Sequence, residues 1–142
     1  MLAQRLQARH VQPRKMRLPR LRHGVYIGAM SAPYTPPVIE QIDAPTLARM
    51  RAEAPGLWLI DVRTPEEQAL ARIEGARLLD EALEEEILAL PRETPLVFQC
   101  HHGIRSQQAA LYFARRGFTR LHNLVGGIEA WSRLVDPSVP RY

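Results

Sequence analysis

From residue 38 onward, short apolar runs alternate with segments of helical periodicity, and turn signals separate them. Short apolar runs between turns are typical of buried strands, whereas apolar positions spaced by three or four are typical of helices. The pattern predicts strands at residues 38–42, 57–60, 76–79, 96–99 and 121–125. It predicts helices at residues 44–54, 81–90 and 106–116, one that starts at 65, and a short one that runs from 127 through 131.

The boundary residues support these elements. Asp43 suits the N-cap of the first helix. Thr64, Pro65 and Glu67 form a capping-box start for the second. Alternating strands and helices predict a parallel sheet covered on both faces. Sites in such sheets lie at the carboxyl ends of the strands, which is where Cys100 follows the strand at 96–99.

Length and composition predict one soluble domain, since the 142 residues are 46% hydrophobic and 24% charged. No apolar run approaches the roughly 20 residues of a membrane helix, so we expect no membrane span. The single cysteine excludes an intrachain disulfide and a cysteine-rich zinc site. A single working thiol also favours a reducing, cytoplasmic setting.

The formal charge of +4 is unevenly distributed. Residues 1–29 hold seven basic side chains and no acidic one, which leaves residues 30–142 with 12 basic and 15 acidic groups, a charge of −3. We therefore expect no nucleic-acid partner for the folded domain. The domain is predicted at 38–133, followed by a tail at 134–142.

The composition of residues 1–37 predicts a disordered basic segment. A basic arm for RNA or anionic membrane and an organelle-targeting segment are both open interpretations. The favoured one is that the native chain starts at Met30, where the well-patterned part begins.

The candidate chemistry lies in residues 100–106, between a predicted strand and a predicted helix. Such a loop lets successive N–H groups turn toward the Cys100 sulfur, and the helix start adds its positive dipole end. Gly103 permits the tight turn, and Arg105 adds a permanent cation. These effects favour thiolate over thiol, and they would equally hold a persulfide or an oxyanion.

Two alternatives stay open for these residues. Cys100 could be a buried core residue, although an inert cysteine would not need a glycine, an arginine and a helix start within six positions. His101 and His102 could each donate to a bound anion or be exposed loop residues. We expect no zinc site here, because neighbouring loop residues rarely converge on one ion.

Taken together, these motifs resemble the rhodanese family over residues 38–133. The matching segments are the Asp-Val-Arg segment at 61–67, the glycine turn at 74–76, the loop at 100–106, and the closing signatures at 117–118 and 125–131. The loop with two histidines and residues 136–142 are similar to rhodanese domains fused behind bacterial monothiol glutaredoxins.

The resemblance implies a rhodanese-like three-layer α/β fold with a five-stranded parallel sheet flanked by helices. It implies Cys100 as the sulfur-carrying nucleophile and Arg105 as substrate anchor, with Asp61 and Arg63 as supporting residues. The residues implied for the persulfide cradle are His101, His102, Gly103, Ile104, Arg105 and Ser106. On spacing alone, Arg63 is also placed to pair with Glu67.

The predicted function is a sulfurtransferase that moves a sulfane sulfur from a donor such as thiosulfate, through a Cys100 persulfide, to cyanide, a small thiol or a protein cysteine. This covalent chemistry requires no metal or organic cofactor. One rival is a cysteine-dependent phosphatase or arsenate reductase, whose loop has five residues between cysteine and arginine; here four intervene. The other is a persulfide relay or binding module with little free turnover.

Overall fold

The computed structural model describes residues 37–142. Two predictions, a disordered segment over residues 1–37 and a native start at Met30, fall almost entirely on residues 1–36. They therefore lie outside the described part of the chain.

Five strands form a single parallel sheet. They are β1 (Ile39–Ile42), β2 (Trp58–Asp61), β3 (Arg77–Leu78), β4 (Leu96–Gln99) and β5 (Leu121–Leu124). Their order in the sheet is β1-β5-β4-β2-β3, so that β4 lies between β5 and β2. In the register of the central strands, Phe98 lies opposite Ile60 on one side and Asn123 on the other.

Five helices connect or follow the strands. They are α1 (Ala44–Glu53), α2 (Pro65–Leu70), α3 (Glu81–Leu88), α4 (Ile104–Ala114) and α5 (Gly127–Leu134). The predicted N-caps are confirmed: the Asp43 side chain accepts from the N–H of Thr46. Thr64 and Glu67 form the reciprocal capping box at the start of α2.

Several element boundaries differ from the sequence prediction by one to three residues, and two of these differences have a clear structural reason. Helix α4 begins at Ile104 rather than at residue 106, because Gly103 adopts the left-handed conformation (φ 105°) and turns the loop directly into the helix. Strand β3 has only two residues, because it is an edge strand that pairs with β2 alone.

The core has one layer on each face of the sheet. On one face Phe98 stacks on Phe113 of α4, with ring centroids 5.4 Å apart, and Ile87 of α3 packs in the same cluster. On the other face Val97 packs with Leu47 of α1 and Trp131 of α5. Every residue of β4 is buried, as its continuous apolar run predicts. The predicted three-layer α/β fold is confirmed.

This topology brings three chain segments together at one edge of the sheet. Because β2, β4 and β5 are parallel neighbours, their carboxyl ends meet there. Residues 62–64 follow β2, the loop 100–103 follows β4, and the turn 125–126 follows β5. The candidate site is built from these three segments.

Candidate active site

The Cys100 sulfur is held by donors from its own loop. Sγ accepts from the N–H of Gly103 at 3.0 Å and from the N–H of Ser106 at 3.4 Å. The Ser106 hydroxyl lies 3.2 Å from the same atom, and Cys100 is only 1% exposed. Amide donors at the start of α4 favour a negatively charged sulfur over a neutral thiol.

Gly103 is the residue that makes this geometry possible. Its φ of 105° is one that residues with a side chain rarely adopt, and a Cβ there would lie 3.1 Å from the carbonyl oxygen of Leu124. The turn points the Gly103 N–H at the sulfur and starts α4 so that the Ser106 N–H follows. The loop's turn and the helix start are therefore one structural feature.

A second helix start holds the loop from behind. The N–H of Ile128 donates to the Cys100 carbonyl at 2.8 Å, and the N–H of Glu129 donates to the His101 carbonyl at 3.3 Å. A Cβ on Gly127 would overlap with both of those carbonyl groups, so this close approach requires glycine. Since the C=O and N–H of a trans peptide point in opposite directions, the His101 and His102 amides face away from α5.

A polar relay from β5 supports the loop from below. The Ser106 hydroxyl donates to Oδ1 of Asn123 at 2.5 Å, and Nδ2 of Asn123 donates to the Gly103 carbonyl at 3.1 Å. Asn123 also donates to the Gln41 side chain at 2.9 Å. One buried amide thus fixes both Gly103 and Ser106, which are the residues that contact Sγ.

The end of β2 and the segment that follows it, beside the loop, contain a buried ion pair. Arg63 donates to both carboxylate oxygens of Asp61, through Nε at 3.0 Å and Nη2 at 2.7 Å, and neither side chain is exposed. The expectation that Arg63 pairs with Glu67 is wrong, because Arg63 reaches only the main-chain oxygen of Glu67, at 3.3 Å. Arg63 folds back onto the end of β2, where Asp61 is two residues away.

The partner of the Glu67 carboxylate is Arg105. Its Nη1 and Nη2 donate to the two carboxylate oxygens at 2.7 and 2.8 Å. The Arg105 guanidinium lowers the pKa of Glu67 to about 2, and the carboxylate raises the pKa of Arg105 in turn. This two-bond contact uses two of the five N–H groups of the Arg105 guanidinium, so three N–H groups do not bind Glu67. The cation expected beside the sulfur is present, but Glu67 balances its charge.

Three rings form a stack along the outer side of the loop. The His101 ring lies between His102 and Tyr142, with centroid distances of 3.9 and 4.0 Å. The Tyr142 hydroxyl accepts from Nη1 of Arg63 at 2.9 Å and donates to Glu67 at 3.1 Å. His101 is therefore half-buried rather than a freely exposed loop residue, whereas His102 is exposed.

Comparison with known proteins identifies this arrangement. The family model of the rhodanese-like domain matches residues 43–134. The chain belongs to the rhodanese-like domain family. It is 41% identical to thiosulfate sulfurtransferase GlpE of Pseudomonas paraeruginosa over 96 residues, which cover 67% of this chain and 86% of that protein.

Two further similarities support the assignment to rhodanese-like domains. A sulfurtransferase of Allochromatium vinosum is 34% identical over 97 residues, 68% of this chain and 91% of that protein. The solved human single-domain sulfurtransferase TSTD1 superposes with a TM-score of 0.55 at 26% identity, covering 71% of this chain and 98% of that one. The predicted family is confirmed, and so is the prediction of a rhodanese-type enzyme.

In this rhodanese-like domain, the predicted loop residues lie around the Cys100 sulfur, but they differ in whether they contact it. Among residues 37–142, the amides that reach Sγ are those of Gly103 and Ser106. The Ile104 side chain is 77% exposed, and Arg105 turns toward Glu67. Asp61 and Arg63 lie in the wall beside the loop, as their supporting assignment implies.

Two absences concern the described residues alone. Within residues 37–142, no group of three or more histidine, cysteine, aspartate or glutamate side chains could hold a metal ion. No helix in the same range is long and apolar enough to cross a membrane.

Three residues that support the loop of this rhodanese-like domain were given no individual role by sequence reasoning. A polar residue inside the buried run of β5 was the available signal for Asn123, because buried amides need partners. The second glycine of the pair at 126–127 was a signal for close backbone approach. Tyr142, which lies in the predicted tail, gave no local signal.

Proposed function

We propose that this rhodanese-like domain is a sulfurtransferase that carries a sulfane sulfur as a persulfide on Cys100. The observation that carries the proposal is the buried Sγ with the Gly103 and Ser106 amides at 3.0 and 3.4 Å. Such donors stabilise an anionic sulfur nucleophile without a separate base. The names of the relatives favour thiosulfate as the donor.

In the first half-reaction, the Cys100 thiolate attacks the outer sulfur of thiosulfate. A new S–S bond forms at Sγ, the bond between the two sulfurs of thiosulfate breaks, and sulfite leaves with the electron pair. The product is a Cys100 persulfide. No electron acceptor is needed, since the sulfane sulfur is transferred with its oxidation state unchanged.

The loop offers this persulfide further donors. The His101 and His102 amides face away from α5, and in this proposal they donate to the outer sulfur beyond Sγ. Arg105 keeps three N–H groups besides the two on Glu67, and these anchor the sulfonate of the donor. Glu67 thus orients Arg105 while limiting its net charge at the site.

In the second half-reaction, an acceptor attacks the outer sulfur and the Cys100 thiolate is regenerated. Cyanide, a small thiol or a protein cysteine could each serve as this acceptor. The scheme uses neither a metal nor an organic cofactor. A reducing, cytoplasmic setting would keep the single thiol ready for the cycle.

Intact mass spectrometry after thiosulfate treatment tests the proposal. The wild type should gain the mass of one sulfur atom, whereas Cys100→Ser should gain none, because a hydroxyl forms no persulfide. A stable sulfur adduct on the serine variant, or no adduct on either protein, would refute the assignment.

The role of Arg105 has its own test. Arg105→Ala should lower kcat/KM for thiosulfate by about tenfold, which is the loss expected for one charge-assisted contact. The same change should affect the stability of the fold less than it affects thiosulfate turnover, as judged by the thermal midpoint of unfolding. Arg115→Ala removes an exposed arginine at the far end of the same helix and serves as the control. Unchanged thiosulfate kinetics in Arg105→Ala would make Arg105 a bystander.

A further inference from the structure

An open hollow of about 410 Å³ lies beside the active-site loop. The residues that line it are His101, His102, Glu129, Arg141 and Tyr142. Its volume is within the range of about 300–1,000 Å³ that small-molecule sites occupy. Because His101 directly follows Cys100, the hollow begins one residue from the nucleophile.

The ring stack gives the hollow one flat, apolar wall. The His101 and Tyr142 rings are nearly parallel, at an angle of 10°, and His102 extends the stack. Nε2 of His101 is buried, and no group in the described part of the chain pairs with it. Buried polar atoms normally have a partner, so this nitrogen lacks a hydrogen bond that such atoms usually make.

Opposite charges stand side by side at the rim. Arg141 donates through Nε and Nη2 to the same Glu129 oxygen, Oε1, at 2.9 and 2.5 Å. The Arg141 guanidinium lowers the pKa of Glu129, as expected for a carboxylate that accepts from a cation. This geometry leaves Oε2 of Glu129 and the other N–H groups of Arg141 for a ligand.

The position of Glu129 ties the rim to the nucleophile. Its main-chain N–H donates to the His101 carbonyl, and the preceding residue, Ile128, donates to the Cys100 carbonyl. Glu129 therefore stands on the helix turn that supports the loop. A molecule held at this rim lies close to the mouth of the loop.

We propose that this hollow is the acceptor subsite and that it takes a small thiol carrying both an ammonium and a carboxylate group. Glu129 receives the ammonium, Arg141 receives the carboxylate, and the ring stack covers the carbon chain. An α-amino acid thiol, or a small peptide that contains one, presents these two charges close together. The inference rests on the proposed persulfide chemistry and specifies its acceptor.

The transfer step balances without any further reagent. The acceptor thiol loses its proton to solvent, and its thiolate attacks the outer sulfur of the Cys100 persulfide. An S–S bond forms between the acceptor and the transferred sulfur, while the bond to Sγ breaks. The electron pair of that bond stays on Sγ, so the products are an acceptor persulfide and the Cys100 thiolate.

A matched set of thiols tests the charge requirement. Cysteine carries both charges, cysteamine only the ammonium, 3-mercaptopropionate only the carboxylate, and 2-mercaptoethanol neither. Discharge of preformed Cys100 persulfide is followed by mass spectrometry, and kcat/KM is compared per thiolate. Cysteine should exceed 2-mercaptoethanol by more than about tenfold, with the singly charged thiols between them.

Charge-removing variants identify the contacts. Arg141→Gln should lower the ratio of cysteine to cysteamine about fivefold, because it removes the partner of the carboxylate. Glu129→Gln should lower the ratio of cysteine to 3-mercaptopropionate to a similar extent. Arg115→Gln, which changes an exposed arginine on another helix and outside the hollow, should change neither ratio.

The outcomes separate this inference from the proposed function. Persulfide formation is measured before any acceptor is added, so its failure overturns the sulfurtransferase proposal itself. If the persulfide forms but all four thiols react equally per thiolate, the acceptor subsite is wrong. The same holds if both Gln variants keep the wild-type ranking.

Discussion

The loop wall of the site, residues 100–106, is built from main-chain groups, whereas the facing wall, residues 61–67, is built from charged side chains. The loop wall presents amides to Sγ at 3.0 and 3.4 Å. The facing wall holds two carboxylates, Asp61 and Glu67, each matched by an arginine: Arg63 from the same wall and Arg105 from the loop. Each pair cancels much of its own charge, whereas the amides at the start of α4 point directly at the sulfur.

The contrast shows which changes each wall tolerates. Side-chain substitutions leave main-chain donors in place. The loop wall is therefore sensitive to substitution mainly at the positions that require glycine. The facing wall depends on individual side chains, and its two pairs differ in burial. Asp61 and Arg63 are fully buried, while Arg105 keeps 33% of its side chain exposed.

The largest effect is expected from breaking the buried pair. Arg63→Met leaves Asp61 as a buried, uncompensated carboxylate, which costs about 3–5 kcal/mol of the free energy of unfolding. Urea denaturation measures the loss. Glu86→Gln breaks the exposed pair between Arg77 and Glu86, whose side chains are 51% and 49% exposed, and it should cost far less because solvent screens the pair. Equal losses in the two variants would remove the distinction between buried and exposed pairs.

Adding a methyl group behind the loop should have the next largest effect. Gly127→Ala places a Cβ onto the Cys100 and His101 carbonyl groups at a φ of 57°. Overpacking and left-handed strain together should cost about 2–4 kcal/mol, and the displaced loop should load sulfur poorly.

Thermal unfolding and mass measurement of the persulfide check both consequences of Gly127→Ala. Gly56→Ala is the control, because a Cβ there meets nothing within 4 Å. If Gly127→Ala loads sulfur normally, the close approach of α5 is not needed for the loop's function.

A smaller effect is expected from removing the hydroxyl beside the sulfur. Ser106→Ala keeps the amide but deletes the hydroxyl 3.2 Å from Sγ. Because that hydroxyl gives its one proton to Asn123, its loss weakens the relay that holds Gly103 and Ser106 around the sulfur. Alkylation of Cys100 by iodoacetamide at neutral pH should slow by about tenfold, or roughly 1.4 kcal/mol. Thr94→Val deletes a hydroxyl that donates to Pro91, far from the loop, and should leave the rate unchanged. An equal rate in Ser106→Ala would assign the whole effect to the amides.

The smallest effect is a pH dependence of the facing wall. The folded-state pKa of Glu67, about 2, lies below its ordinary value of 4.5 because Arg105 binds the carboxylate. Its stabilisation is therefore complete above about pH 4.5 and is lost as the pH falls toward 2.

Glu67→Gln tests this dependence. Because solvent screens this partly exposed pair, the variant should be only about 1 kcal/mol less stable than the wild type near neutral pH. The difference should shrink on acidification, as urea titrations at successive pH values would reveal. Glu66→Gln, on the exposed face of the same turn, should change the profile less. A difference that is independent of pH would contradict the assignment.

Much of the fold followed from local pattern. The apolar run at 96–99 predicts a strand buried on both faces, and Thr64 with Glu67 predicts a capping box; both are observed. The loop from Cys100 to Ser106 was predicted as a cradle for the sulfur, and its Gly103 and Ser106 amides do contact Sγ. The partner of Arg63 was predicted wrongly, because Asp61 and Glu67 are both within its reach along the chain.

By itself, the sequence determined the alternation of strands and helices, the position of Cys100 at a strand end, and the family. These features depend on residues within a few positions of one another, where backbone geometry limits the outcomes. Only the tertiary structure decided that Arg105 pairs with Glu67, that Asn123 fixes the loop, and that Tyr142 covers His101. Those contacts join residues 17 to 41 positions apart, and folding alone decides which side chains share the space above the sheet.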